Sequence, residues 1–136
     1  MTVVLDCNIL VMCLTSRSPY YPIYRALTKG KFNLAITTEI VLEYEEIIQQ
    51  KYGILTANNF ITLLHELPNV HYITTYYRWL LIDADPDDNK YSDCAIAGKA
   101  TYWVTEDKHF DILKSISFPQ VTTISIDEFA KLIQTL

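Results

Sequence analysis

Short apolar segments rich in β-branched residues alternate along the chain with longer segments in which apolar residues recur every three to four positions. The first, TVVLDCNILV from Thr2 to Val11, is apolar on both faces, a pattern typical of a central parallel strand covered by helices on each side. Further strands are predicted at residues 32–37, 70–74, 101–105 and 121–125, and helices at residues 22–29, 38–52, 56–66, 90–99, 108–116 and 126–136.

Local chemistry marks several of the predicted helix boundaries. Thr37 or Thr38 is expected to cap the second helix, and Gly53 to close it. Ser125 and Glu128 have the spacing of a capping box at the start of the last helix. Strands that alternate with helices in this way predict a three-layer α/β/α sandwich with a mainly parallel central sheet.

Length and composition indicate one globular unit. We expect the 136 residues to form a single domain, residues 1–136, and the 50% hydrophobic content argues against disorder. No apolar run reaches the roughly 18 residues of a membrane span, and the N-terminus lacks the basic start of a signal peptide, so we expect a cytoplasmic protein without membrane contact. The three cysteines form no C-x-x-C pair, which speaks against a disulfide framework or a zinc ribbon.

The net charge of −5 disfavours a protein that holds nucleic acid by broad neutralisation of phosphates, since such binding needs clustered Lys and Arg. Divalent cations in an acidic cleft can nevertheless allow an acidic protein to process a polyanion. The charge is therefore only weak evidence against a nucleic-acid substrate.

One short stretch, IDADPDDNKYSDC, concentrates five aspartates: Asp83, Asp85, Asp87, Asp88 and Asp93. Clustered carboxylates persist only if they are solvated, protonated or bridged by a cation. A surface turn is one interpretation, because Asp, Asn and Pro favour turns. An EF-hand loop is excluded, since Asp88 stands where that loop needs Gly and Cys94 where it needs Glu.

Acidic residues also follow two predicted strands. Asp6 and Asp107 stand at strand ends, Asp88 stands at the entry to a helix, and Glu43 projects from another helix toward the same edge. The alternative for Asp6 is a helix cap or a buried carboxylate satisfied by backbone amides. Four carboxylates without His or Cys would form a hard oxygen site suited to Mg²⁺ or Mn²⁺ rather than zinc.

Four motifs in this order resemble the PIN domain family across nearly the whole chain: VVLDCNIL, TTEIVLEYEEII, DPDDNKYSDCAIAGKA and VTEDKHF. The resemblance implies that Asp6, Glu43, Asp88 and Asp107 bind the metal and act in catalysis, and that Asn8, Thr105 and Asp85 support them. Two details depart from the pattern. Cys7 stands where these proteins more often have Thr, and Asp93, like Asp85, competes with Asp88 for the third acidic position.

The resemblance implies a metal-dependent endoribonuclease that hydrolyses phosphodiester bonds of single-stranded RNA with Mg²⁺ or Mn²⁺. The DPDD variant resembles the toxins of type II toxin-antitoxin pairs, which implies a cognate antitoxin that inserts a segment into the cleft. We also expect a homodimer through exposed apolar helices. The main alternative is a catalytically inactive PIN-like module that binds RNA or protein. A haloacid dehalogenase-type phosphatase is disfavoured, because Asp6 is not followed by the required D-x-D spacing.

The aromatic residues Tyr76, Tyr77 and Trp79 form a separate cluster. They could stack on nucleobases, but clusters of this kind are more often core or partner interface, and that is the interpretation we prefer.

Overall fold

The computed structural model describes residues 1–82, 88–106 and 119–136. Within these ranges the strands are β1 (Thr2–Leu5), β2 (Asn33–Ile36), β3 (Val70–Tyr72), β4 (Tyr102–Val104) and β5 (Thr123–Ile124). The helices are α1 (Cys7–Cys13), α2 (Tyr21–Thr28), α3 (Thr38–Tyr52), α4 (Ile54–Glu66), α5 (Asn89–Ala97) and α6 (Ile126–Ile133).

The strands form one sheet in the order β3-β2-β1-β4-β5, and every ladder among the described residues is parallel. β1 lies in the centre. Its residues Val3, Val4 and Leu5 are at most 1% exposed, which requires cover on both faces of the sheet because alternate side chains point to opposite sides. The predicted three-layer α/β/α sandwich with a parallel sheet is therefore confirmed.

The predicted first strand was too long. β1 ends at Leu5, and the second half of the apolar run forms α1 instead. Residues of α1 such as Ile9, Leu10 and Val11 are at most 3% exposed, nearly as deeply buried as those of the strand. Periodicity alone does not separate a short buried strand from a short buried helix. The chain thus passes from strand to helix at the single residue Asp6.

The other boundaries follow the predicted chemistry closely. The Thr37 side chain caps α3 by accepting a hydrogen bond from the Ile40 amide at 3.2 Å, and Gly53 ends the helix with a φ of 92°, which favours glycine. The capping box of Ser125 and Glu128 is present at the start of α6. The helix predicted at residues 108–116 lies outside the described residues.

Packing contacts fix the positions of α5 and α3. α5 packs over β1, β2 and β4, where the Tyr91 ring stacks on Trp103 with a centroid separation of 5.8 Å. α3 packs against α1 and α4. Among the described residues, no helix combines the length and apolar composition needed to cross a membrane.

Candidate active site

Asp6 lies at the carboxyl end of the central strand, between β1 and α1, and is only 9% exposed. Thr105 follows the neighbouring strand β4, and its hydroxyl donates a hydrogen bond to Asp6 Oδ2 at 3.0 Å. The parallel register of β1 and β4 brings these two strand ends together although 99 positions separate them in sequence. The expected contact between Thr105 and a carboxylate is present.

Glu43 lies on α3 beside Asp6, and a buried hydrogen bond holds it there. The hydroxyl of the next residue, Tyr44, donates to the carbonyl oxygen of Leu5 at 2.5 Å. Cys7, which occupies the position where the family more often has Thr, places its sulfur 3.8 Å from the Glu43 carbonyl oxygen. These contacts join the residues next to Asp6 to the backbone around Glu43.

Both carboxylate oxygens of Glu43 have partners. The Tyr91 hydroxyl donates to Oε1, and the Lys90 ammonium lies 2.7 Å from Oε2. The Lys90 side chain is 14% exposed and that of Glu43 is 32% exposed, so this ion pair is largely shielded from solvent. The Lys90 ammonium also lies 5.1 Å from the centroid of the Tyr91 ring.

A cavity of about 370 Å³ brings the expected residues together. Asp6, Asn8, Glu43 and Asp88 line it, although 82 positions separate Asp6 from Asp88 in the sequence. A second cavity of about 280 Å³ adjoins Asp6 and Asn8 and is also lined by Glu106. Three of the four expected carboxylates thus face one space at the carboxyl edge of the sheet.

The electrostatics of this space disfavour negative charge. Burial raises the pKa of Asp6, and the charge of Glu43 raises that pKa further, while the Thr105 hydroxyl and the backbone amides of Cys7 and Asn8 oppose the rise. The Cys7 thiol has a pKa of about 12, chiefly because it is buried, and is therefore neutral at ordinary pH. A cation at this position would offset the repulsion between Asp6 and Glu43.

Asp88 and Asp93 lie in different surroundings. Asp88 precedes the first residue of α5 and lines the cavity shared with Asp6. Asp93 lies five positions later, accepts a hydrogen bond from the Trp79 amide at 3.1 Å, and lines a separate polar cavity of about 220 Å³. The geometry therefore favours Asp88 over Asp93 as the third acid of the site. Asp85, the other candidate, lies outside the described residues.

Asp107, expected as the fourth carboxylate, also lies outside the described residues. Its neighbour Glu106 is described, and the Glu106 carboxylate accepts a hydrogen bond from the Ile126 amide at 2.6 Å. Glu106 thus caps the start of α6 as well as lining the second cavity beside Asp6.

The donor set fits a hard divalent cation, because carboxylate oxygens are the ligands that Mg²⁺ and Mn²⁺ prefer. Within residues 1–82, 88–106 and 119–136, no three acidic, His or Cys side chains are close enough to hold a metal ion as they stand. Glu43 instead points its oxygens at Lys90 and Tyr91. Coordination by Glu43 would require Lys90 to release Oε2 or share it.

Lys90 and Tyr91 were not identified as site residues from the sequence. A usable signal existed for Lys90. It is the second residue of α5, and a positive charge in the first turn of a helix is opposed by the helix dipole. A lysine at this position indicates a nearby acidic partner.

The aromatic cluster is mostly at the surface. Tyr76 is 93% exposed and Tyr77 is 65% exposed, so neither belongs to the core. The other half of the interpretation, a partner interface, stays a prediction. Trp79 is half-buried, and its ring lies 4.6 Å from that of Tyr77. The cluster follows β3, and it is joined to α5 by the hydrogen bond from the Trp79 amide to Asp93.

Comparisons with known proteins agree with this geometry. A family model described as the PIN domain matches residues 2–109. The fold is similar to that of VapBC2 from Rickettsia felis, solved bound to a DNA fragment from the promoter, with a TM-score of 0.63, 18% identity, and coverage of 92% of this chain and 98% of that one. It is also similar to VapBC-1 from nontypeable Haemophilus influenzae, with a TM-score of 0.64, 16% identity, and coverage of 93% and 99%. No curated protein sequence matches the chain.

Replacing Asp6 by Asn should stabilise the protein in EDTA near pH 7. The folded state raises the pKa of Asp6 above its ordinary value of 3.8. The stabilisation that protonated Asp6 gives the folded state is therefore fully present below pH 3.8, and it is lost as the pH rises through the pKa of the folded state. Asn is uncharged and can still accept the Thr105 hydrogen bond. We expect a higher urea midpoint for the variant near pH 7, and a difference that disappears at low pH.

The exposed Asp127, which accepts a hydrogen bond from the Tyr20 hydroxyl, provides a control outside the site. Asp127→Asn should not reproduce the gain in stability. A D6N variant less stable than the wild type near pH 7 in EDTA would contradict the electrostatic account of the site.

Proposed function

The chain belongs to the PIN domain family, and from that premise we propose that it is a metal-dependent endoribonuclease that hydrolyses phosphodiester bonds of single-stranded RNA. The observation that carries the proposal is the shared cavity at the carboxyl edge of the sheet, lined by Asp6, Glu43 and Asp88. Open α/β sheets place their ligands at this edge. Asp107 is proposed as the fourth carboxylate on the basis of the VTEDK motif.

Each described residue has a distinct task in this proposal. Asp6, Glu43 and Asp88 would hold Mg²⁺ or Mn²⁺, and Thr105 orients Asp6 through its hydrogen bond. Asn8 lines the cavity and is exposed, so its amide can hydrogen-bond a ligand or water there. When bound, the cation supplies activation of water and stabilisation of the charge that develops on the phosphate.

Two features support single-stranded RNA as the substrate. The small acidic domain offers little basic surface for following a duplex, whereas exposed aromatic rings can stack on unpaired bases. Tyr76 and Tyr77 present such exposed rings, on the segment whose residues Thr75 and Arg78 line the polar cavity of Asp93. Arg78, between Tyr77 and Trp79, adds a positive charge to this segment.

We further propose that the protein is the toxin of a type II toxin-antitoxin pair. The support is the similarity of its fold to two VapBC structures, over at least 92% of this chain. An antitoxin segment with a basic side chain could pair with the carboxylates of the cavity. A homodimer could form through the α3–α4 surface, where Leu42, Ile54 and Leu55 are each at least 60% exposed.

A catalytically inactive PIN-like module is the second candidate, and one observation favours it. The carboxylate of Glu43 is already bound by Lys90 and Tyr91. One of the four acids that line the cavity is therefore engaged, the others being Asp6, Glu46 and Asp88. The nuclease and the inactive module are distinguished by whether the purified protein cuts RNA when Mn²⁺ is supplied.

We expect purified protein with Mn²⁺ to degrade single-stranded RNA, and EDTA to stop the reaction. Asp6→Asn should lower the rate by at least about 100-fold, because it removes a charged ligand while keeping the shape of the side chain. Asp107→Asn is expected to do the same. The measurement is cleavage of a labelled oligonucleotide by each variant, with Asp127→Asn as the surface control. Equal activity in D6N and wild type would assign the cleavage to a contaminant or to another site.

A second pair of variants distinguishes the two candidate third acids. Asp88→Asn should reduce Mn²⁺-dependent cleavage strongly, because Asp88 lines the cavity shared with Asp6 and Glu43. Asp93→Asn should retain most of the activity, since its carboxylate accepts a backbone hydrogen bond in another cavity. Initial rates across a Mn²⁺ titration measure both effects. If D93N loses more cleavage activity than D88N, Asp93 rather than Asp88 is the third acidic residue of the site.

Expression of the wild-type chain alone in a bacterial host should arrest growth if the protein is a toxin, whereas Asp6→Asn should be tolerated at the same expression level. The arrest would follow from RNA cleavage and should be relieved by coexpression of a cognate antitoxin. Growth curves with immunoblots for expression provide the measurement. Normal growth with active, well-expressed wild-type enzyme would argue against a toxin.

A further inference from the structure

The ammonium group of Lys90 lies next to the carboxylates of the candidate site. The Lys90 ammonium lies 2.7 Å from Glu43 Oε2, while the Tyr91 hydroxyl donates to the other oxygen of the same carboxylate. Lys90 also lines the polar cavity that holds Asp93, so its side chain lies between the two acidic spaces. Glu43 in turn lines the cavity shared with Asp6 and Asp88.

The position of Lys90 is unfavourable in two respects. It is the second residue of α5, where the helix dipole opposes a positive charge, and α5 has no acidic residue in its first turn. Its side chain is only 14% exposed, so the ammonium loses much of its hydration. The ion pair with Glu43 compensates for both costs. The same pair also places a positive charge beside the Glu43 carboxylate, which shares a cavity with Asp6, and so reduces the repulsion between the two acids.

We propose that Lys90 is a resident counter-ion of the carboxylate site: it positions Glu43 before metal binds, and a divalent cation must compete with its ammonium for Glu43 Oε2. The inference rests on the proposed function, in that the site binds a divalent cation. Lys90 is a positioning residue in this account, because it acts through Glu43. Its long, flexible side chain can leave Oε2 without movement of the helix backbone.

Removing the charge of Lys90 should therefore lower the stability of the metal-free protein but raise the affinity of the site for Mn²⁺. Without Lys90, Glu43 and Asp6 repel each other uncompensated, so the protein in EDTA should be less stable. The same loss removes a competing positive charge, so Mn²⁺ should bind more tightly. Tyr91 still holds Oε1 of Glu43, which preserves its orientation. A lysine with a purely structural role would lower stability and weaken Mn²⁺ binding together.

The test uses the full chain and three variants. Lys90→Met removes the charge at similar length, Lys90→Arg keeps it, and Lys131→Met removes an exposed lysine on α6 as a control. Calorimetric titration with Mn²⁺ should show binding about tenfold tighter for K90M than for the wild type. The melting temperature of K90M should be lower in EDTA and should rise more on addition of Mn²⁺. K90R and K131M should resemble the wild type.

Equal or weaker Mn²⁺ binding by K90M, or no binding by wild type and K90M alike, would overturn the inference. Mn²⁺ binding by K90M but not by the wild type would also support the inference, and would mean that the Lys90 ammonium prevents Mn²⁺ from binding to the wild-type site. If K90M does not fold in EDTA, the same measurements are made on Lys90→Gln. Mn²⁺ is then expected to restore the folded state of K90M and K90Q. If it does not, the inference is overturned. Because the readout is binding rather than cleavage, a wild type that binds Mn²⁺ without cutting RNA refutes the proposed nuclease and leaves the result for Lys90 intact.

Discussion

The candidate site depends on one buried hydrogen bond, from the Tyr44 hydroxyl to the carbonyl oxygen of Leu5. Leu5 precedes Asp6, and Tyr44 follows Glu43, so this bond joins the neighbours of two carboxylates that are 37 positions apart. Burial raises the pKa of Tyr44 well above its ordinary value, which keeps the hydroxyl protonated as a donor. Helix α3 is thereby held at a fixed depth against the end of the central strand.

The closeness of Asp6 and Glu43 lowers the stability of the folded protein when no cation is bound. Asp6 is 9% exposed and faces the negative charge of Glu43, a combination that destabilises its ionised form. Thr105, Tyr91 and Lys90 each offset part of this cost by donating hydrogen bonds or a positive charge to the two carboxylates. Such strain is expected where a fold keeps charges together for a ligand rather than for its own stability.

The short helix α5 separates two acidic environments. Its first end carries Asp88 and Lys90, next to the space that Asp6 and Glu43 share. Its middle carries Asp93, which binds the backbone of the aromatic segment through the Trp79 amide. Asp88 and Asp93 belong to one aspartate-rich stretch of the sequence but line different cavities, because positions five apart along a helical turn point in different directions. Assignment of roles by proximity in sequence fails here for that reason.

The amino-acid sequence by itself indicated the alternation of strands and helices after residue 20 among the described residues, and the caps at Thr37, Gly53 and Ser125, since these follow from periodicity and local chemistry. It also indicated that Asp6 and Glu43 face one another, and both line one cavity. It did not determine where β1 ends, because a short run of mostly buried apolar residues such as the one through Val11 fits a strand or a helix equally well. Only the tertiary structure separated Asp88 from Asp93 and placed Lys90 on Glu43. Those outcomes depend on long-range packing of α5 against α3 and the sheet, which no local sequence pattern encodes.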